Sequence, residues 1–146
     1  MSKTFTLQEA EKLIPSLEKW LGQAIDAKNE AVEAERQLQT VTAHIQMMGG
    51  VELELTQVVR QKHAKVRAVK LLQEAMKEIE EAGCLVKDLD IGLVDFPAKL
   101  NDQQVYLCWK LGEEHIEFWH HPHEGFAGRK PITTEFGGGL GSGPPN

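Results

Sequence analysis

One spacing pattern constrains this chain more than any other. Leu17, Trp20, Ala24, Ala27, Ala31, Ala34, Leu38, Val41, Ile45 and Met48 follow an unbroken three-four alternation. That is the a/d stripe of a helix that packs along its length against another helix. The centre of the stripe is all alanine, so the partner can approach closely there or supply larger side chains. Gly49-Gly50 ends the run, since glycine takes the left-handed cap conformation readily. A second helix is expected from about Val51 to Ala82, capped by Gly83, with a less regular stripe of Leu55, Val58, Val59, Val66, Val69, Leu72, Met76 and Ile79. If the chain folds back at the glycine pair, residue x lies near residue 99−x. Trp20 then meets Ile79, Ala27 meets Leu72 and Val41 meets Val58, and every pair is apolar.

A short helix comes first. Thr6 followed by Glu9 is a capping-box pattern, and Leu7, Ala10, Leu13 and Ile14 supply an apolar side. Pro15 disfavours a helical Ile14 but suits the start of a new helix, so a break is expected at 14–15. On the second long helix Arg60, Lys62, His63, Lys65, Arg67 and Lys70 form a basic run without an acid. The fold-back sets Asp26, Glu30, Glu33 and Glu35 opposite it, which favours cross-helix pairing or a solvated face over an anion site. Helices of ~30 residues extend ~45 Å. Such a hairpin leaves Leu21, Ile25, Val32, Leu53 and Leu71 as apolar flanks, to be covered by a C-terminal sheet or by self-association. A two-fold dimer is the commonest closed form.

At 146 residues one domain is expected: 1–132 as a single α+β domain, helical over 5–83 and strands and loop over 84–132. Residues 133–146 read as a flexible Gly-rich tail. The net charge of −6 argues against a general nucleic-acid binder. No apolar run approaches the ~20 residues of a membrane span. The first residues turn amphipathic and acidic at once, so a cytoplasmic location is expected. Cys84 and Cys108 stand apart with no CxxC, which fits reduced thiols. Cys108 is most simply a small buried hydrophobe.

After Gly83 the hydrophobic period falls to two. Leu85, Leu89, Ile91 and Leu93 alternate until Pro97 ends the strand. Val105, Leu107, Trp109 and Leu111 form a second strand, and Ile116, Phe118 and His120 a third. Gly112 marks a hairpin turn at Leu111–Glu114. With 110 opposite 115, Trp109 pairs with Ile116, Leu107 with Phe118 and Val105 with His120 on the inner face. Tyr106 and Trp119 then share the other face with Cys108 and Glu117. The three segments make an antiparallel meander, followed by the loop HHPHEGFAGRKPI.

Chemistry concentrates in residues 92–131, which hold four of the six His and two of the three Trp. Imidazole and carboxylate are ordinary ligands for a divalent metal such as zinc or iron, and the metal candidates are His120 first and His123 second. HHPH is not a recognised metal signature, and His120 and His121 should point to opposite faces. For acid/base chemistry the candidates are Asp95, Glu113, His120 and Arg129, set at strand ends and in the last loop; Arg129 could clamp an anion bidentately. The blander alternative is that Arg129 pairs with Asp95 or Glu113 to lock the loop. A binding surface would be built on Tyr106, Trp119, Gly125 and Phe126.

The cadence GLVDFP, VYLCWKLGEE and IEFWHHPHEGFAGRKPI, with the opening FTLQEAEKLIPSLEKWL, resembles the bacterial family called domain of unknown function 2203. The resemblance covers roughly residues 4–132. It implies no activity. The positions that match its pattern are Asp95, Phe96, Cys108, Trp109, Gly112, Glu113, Trp119, His120, Gly125 and Arg129. His121 and His123 fall outside it, which favours His120 over a three-histidine site.

The expectation is therefore an α+β protein: a short helix, a long antiparallel helical hairpin and a three-stranded antiparallel meander. Its leading function is a non-enzymatic oligomeric or interaction module. The alternative is a metal-dependent or acid/base enzyme using Asp95, Glu113, His120 and Arg129.

Overall fold

The computed structural model describes residues 3–49 and 52–132. The expected tail at 133–146, Gly50 of the glycine pair, Val51 and the Leu53 side chain lie outside the described residues. Helix α1 spans Leu7–Lys12, α2 spans Ile14–Met48 and α3 spans Glu52–Glu81. Five strands follow: β1 Leu85–Asp88, β2 Leu93–Leu100, β3 Gln103–Lys110, β4 Phe118–His120 and β5 Lys130–Pro131. They form one antiparallel sheet in the order β1-β2-β3-β4-β5. The protein is α+β, with five strands among the described residues where three were expected. No helix among the described residues is long and apolar enough to cross a membrane.

The helix boundaries follow from local chemistry. The Glu9 N–H donates to Thr6 Oγ1 at 3.0 Å, and the Thr6 N–H donates to Glu9 Oε1 at 3.0 Å, completing the capping box. Leu13 alone separates α1 from α2, one residue before the expected break. Gly49 (φ +76°) and Gly83 (φ +98°) take the left-handed conformation at the two helix ends.

The described residues fall into two compact units. One is Gly22–Met76; the other combines Leu21 and the residues before it with Lys77 and those after it. In the first, Gln61 Nε2 donates to Gln37 Oε1 at 2.7 Å, Lys65 pairs with Glu35, and His44 pairs with Glu54. Each partner is within one position of the 99−x register. Glu33 turns instead to Arg36 and Gln37 on its own helix, so only part of the expected cross-helix charge pairing forms. The seam on α3 also differs from the expected stripe. Gln61, Lys65, Ala68, Leu72 and Ala75 are buried or half-buried, whereas Leu55, Val59 and Val66 are exposed. Small residues occupy the seam of both helices, Ala27 and Ala34 on α2 and Ala68 and Ala75 on α3.

The second unit holds the core. Phe5, Leu17, Leu21 and Ile79 pack with Val94, Phe96 and Ala98 of β2 and Val105, Leu107 and Trp109 of β3, all at alternate positions on one sheet face. Phe5 meets Phe96 edge-on at 5.4 Å between ring centroids. Leu21, one of the apolar flanks expected to be covered by the sheet or by self-association, is fully buried here against the sheet.

Two strand boundaries correct the sequence reading. The even spacing from Leu85 to Leu93 is not one strand: Gly92 (φ +68°) turns the chain and separates β1 from β2. A Cβ on Gly92 would lie 2.5 Å from Leu111 Cβ, so both the backbone angle and the space demand glycine. Pro97 does not end a strand but sits inside β2, opposite Tyr106. Its carbonyl accepts from the Phe5 N–H at 2.7 Å, which puts its N–H-less nitrogen on that same edge, beyond the last β1 pair at Asp95. Strand β2 then reverses into β3 through Asn101 and Asp102, both at positive φ (52° and 65°), a two-residue hairpin turn.

Candidate functional site: a buried aspartate, cysteine and histidine

The sheet face turned away from the core carries Asp95 of β2, Cys108 of β3 and His120 of β4. Asp95 lies directly opposite Cys108, and His120 lies opposite Tyr106. This corrects the expected register by one residue. Leu107 pairs with Trp119 and Cys108 with Phe118, not Leu107 with Phe118 and Cys108 with Glu117. A slip of one residue exchanges the faces of a strand. His120 is therefore on the Cys108 face, not on the core face beside Val105. Tyr106 and Trp119 lie on opposite faces and do not form one patch: the Tyr106 ring stands 5.5 Å from that of His120, and Trp119 packs against the core.

The cause is the connection from β3 to β4. It runs seven residues, 111–117, rather than closing on the four of Leu111–Glu114. Glu113 folds it back: its Oε1 accepts from the Lys110 N–H at 2.8 Å and its carbonyl accepts from Trp109 Nε1 at 2.9 Å. The Ile116 N–H then donates to Glu11 Oε2 on α1 at 3.0 Å, outside any strand ladder.

Asp95 is 1% exposed, Cys108 1% and His120 3%. His120 Nε2 lies 2.9 Å from Asp95 Oδ2. Its Nδ1 lies 2.8 Å from the carbonyl oxygen of His121. A carbonyl only accepts, so Nδ1 carries a hydrogen. Asp95 Oδ1 is buried with no hydrogen-bond partner. Burial pushes the Asp95 carboxyl up, against the bond from the His120 ring. Burial likewise pushes the Cys108 thiol up to about 11; neighbouring Asp95 adds to this and Arg129 opposes it.

Arg129 closes the cluster. Its Nη1 is 3.9 Å from Cys108 Sγ and its Nη2 3.3 Å from Glu113 Oε2. The guanidinium lies 4.0 Å from the Phe118 centroid and 4.2 Å from that of Phe126. Phe126 belongs to a 3-10 turn, Phe126–Gly128, preceded by an exposed Gly125. Glu124 fastens the same loop: it accepts from the His121 N–H at 2.9 Å and pairs with Lys130, and these bonds hold its carboxyl down to about 2.

Asp95, Glu113, His120 and Arg129 are thus joined through two direct contacts, Asp95–His120 and Glu113–Arg129, with Cys108 between them. His121 and His123 are elsewhere. Their rings stack at 5.7 Å, and His121 meets Trp119 edge-on. Among the described residues, one group of His, Cys, Asp and Glu side chains converges closely enough to hold a metal, and it is Asp95, Cys108 and His120; His123 takes no part. Cys108 is the member that sequence reasoning assigned to simple packing. Its signal was its strand: Asp95 and Cys108 face each other once β2 is paired with β3.

Residues 3–132 match the model of a family described as an uncharacterized conserved protein (DUF2203), in keeping with the resemblance over 4–132. No curated protein and no solved structure matches the chain.

Proposed function

The chain belongs to the DUF2203 family, whose description names no activity, and we propose from its geometry that it is a non-enzymatic interaction module that self-associates through its helical hairpin as a two-fold dimer. One observation carries the reading. On α3, Leu55, Val59 and Val66 share one face and leave 54%, 54% and 67% of their surface open. Their spacing of four and seven residues keeps them in line along the helix. The face is distinct from the seam that buries Ala68 and Ala75. Scattered exposed apolar residues need no explanation, but a stripe along one helix face does. Lys62 falls between Val59 and Val66; its stem can lie along apolar surface while its ammonium stays in water. A patch that pairs with its own copy is what two-fold association requires.

Light scattering over a micromolar to hundred-micromolar range tests this. The expected result is twice the 16.3 kDa chain mass, reverting to one chain in the double variant Val59→Lys, Val66→Lys with helix content intact. A constant single-chain mass for the unaltered protein would sink the proposal.

A second reading is acid/base catalysis by Asp95, Glu113, His120 and Arg129. The 2.9 Å contact between two buried titratable groups supports it, since a buried carboxyl pushed up by burial beside a specific partner is a mark of functional sites. Its test is turnover of ester, phosphate-ester and peptide substrates. Activity that survives Asp95→Asn undiminished argues against these residues.

A further inference from the structure

From the same three strands we infer that Asp95, Cys108 and His120 form a three-ligand site for one divalent ion of the zinc class, bound through a carboxylate oxygen, Sγ and Nε2. The inference needs neither self-association nor turnover. It rests first on the tautomer. With Nδ1–H donating to the His121 carbonyl, the Nε2 lone pair of a neutral ring faces Asp95 Oδ2 at 2.9 Å. Two acceptors at that distance require a positive centre between them, either a proton or a metal ion. The backbone carbonyl on the far nitrogen is also the arrangement that orients a metal-binding imidazole.

The second observation is independent of the ring. Asp95 Oδ1 is buried without a hydrogen-bond partner. Natural interiors rarely leave such an atom uncompensated. A cation coordinated beside it compensates the carboxylate as a whole. Third, Cys108 Sγ completes a set whose ligand atoms all lie within 4.8 Å of one another. Atoms bound to one zinc ion are about 3–4 Å apart, so small side-chain rotations close the set. Nitrogen, oxygen and sulfur donors together suit zinc over calcium or magnesium, which take oxygen.

Charge balances. The Cys108 thiol carries one proton, and the proton alternative between Asp95 Oδ2 and His120 Nε2 is the second that a metal would displace. Binding releases both protons, leaving a thiolate, a carboxylate and a neutral imidazole around the divalent ion, which sum to zero. Arg129, 3.9 Å from the sulfur, keeps its own countercharge in Glu113. Three protein ligands leave a fourth position for water or an outside ligand.

The test uses full-length protein without a histidine tag, stripped with a chelator and titrated with Co²⁺. One equivalent should produce visible d–d bands and a near-ultraviolet thiolate-to-cobalt charge-transfer band, both abolished by Zn²⁺. Cys108→Ser should remove the charge-transfer band, His120→Gln should weaken binding by roughly tenfold or more, and His123→Ala should change nothing. Absence of both bands in the folded unaltered protein overturns the inference without recourse to any variant. So does a charge-transfer band that persists in Cys108→Ser. Loss of binding in His123→Ala, with His120→Gln unaffected, would place cobalt on the surface histidines instead.

Discussion

Removing His120 while keeping Asp95 should be among the most damaging single changes in the chain. His120→Leu deletes the bond to Asp95 Oδ2 and the bond to the His121 carbonyl. It leaves a carboxyl that is 1% exposed with Oδ1 unpartnered and only the Cys108 thiol still acting on it. Breaking a buried pair from one side costs about 3–5 kcal/mol when the remaining charge persists. Asp95 can escape by taking up a proton, and an unsatisfied neutral group costs about 1–3 kcal/mol. The loss should therefore fall at about 2–4 kcal/mol at neutral pH, between these limits. Replacing both, Asp95→Leu with His120→Leu, removes the polar requirement altogether and should cost far less than the two single changes combined. Urea unfolding of the four proteins in chelator measures this as a double-mutant cycle, so that the pair is read without metal. With a urea slope of about 2 kcal/mol per M, His120→Leu should lower the midpoint by about 1–2 M. Residues that do not interact give additive losses within about 0.5 kcal/mol. Additivity at Asp95 and His120 would refute the claim that they form a coupled buried pair.

Four further outcomes follow from the same structure. Gly92→Ala should destabilise by at least about 1–3 kcal/mol, because φ of +68° is costly for alanine and its Cβ would sit 2.5 Å from Leu111 Cβ; a melting temperature equal to that of the unaltered protein would contradict this. Cys84, 2% exposed and with its thiol pushed up to about 12 by burial, should resist iodoacetamide at pH 8 until the protein unfolds. A raised acid favours the folded state fully below its unfolded value of 9.0, so Cys84's contribution should fade as pH rises from 9 towards 12, seen as a urea midpoint that falls more steeply in the unaltered protein than in Cys84→Ala, which keeps the raised Cys108. Glu124 is the opposite case: its carboxyl is held down to about 2 by Lys130 and the His121 N–H, so the loop bond it makes should persist below pH 4.5 and be lost as pH falls through about 2. Amide exchange at His121 reads it, and exchange that quickens already at pH 4.5 would show that Glu124 is not so held.

The sequence by itself determined the features whose physics is local. Thr6 and Glu9 cap α1 across three residues, Pro15 lies in the first turn of the new helix that begins at Ile14, Gly49 and Gly83 end helices, and the alanine seam of α2 sets the cross-helix register to within one position. Each needs only a residue's own turn or a regular period. The strands were less legible because period two continues through a turn. Nothing in the spacing from Leu85 to Leu93 shows that the chain reverses there; that depends on Leu111 packing over Gly92. Asn101-Asp102 did carry a local turn signal, since both tolerate positive φ, but the lone Pro97 masked it.

Only the tertiary structure decided the candidate site. The β3–β4 register goes with a seven-residue connection that Glu113 folds back locally and whose Ile116 N–H is held by Glu11, far away in the chain. That one-residue difference moved His120 from the core face to the face of Asp95 and Cys108. It separated Tyr106 from Trp119 and turned a cysteine assigned to packing into the third member of a buried cluster. Side-chain direction in a strand reverses at every residue, so it is the property most sensitive to contacts that local sequence does not record.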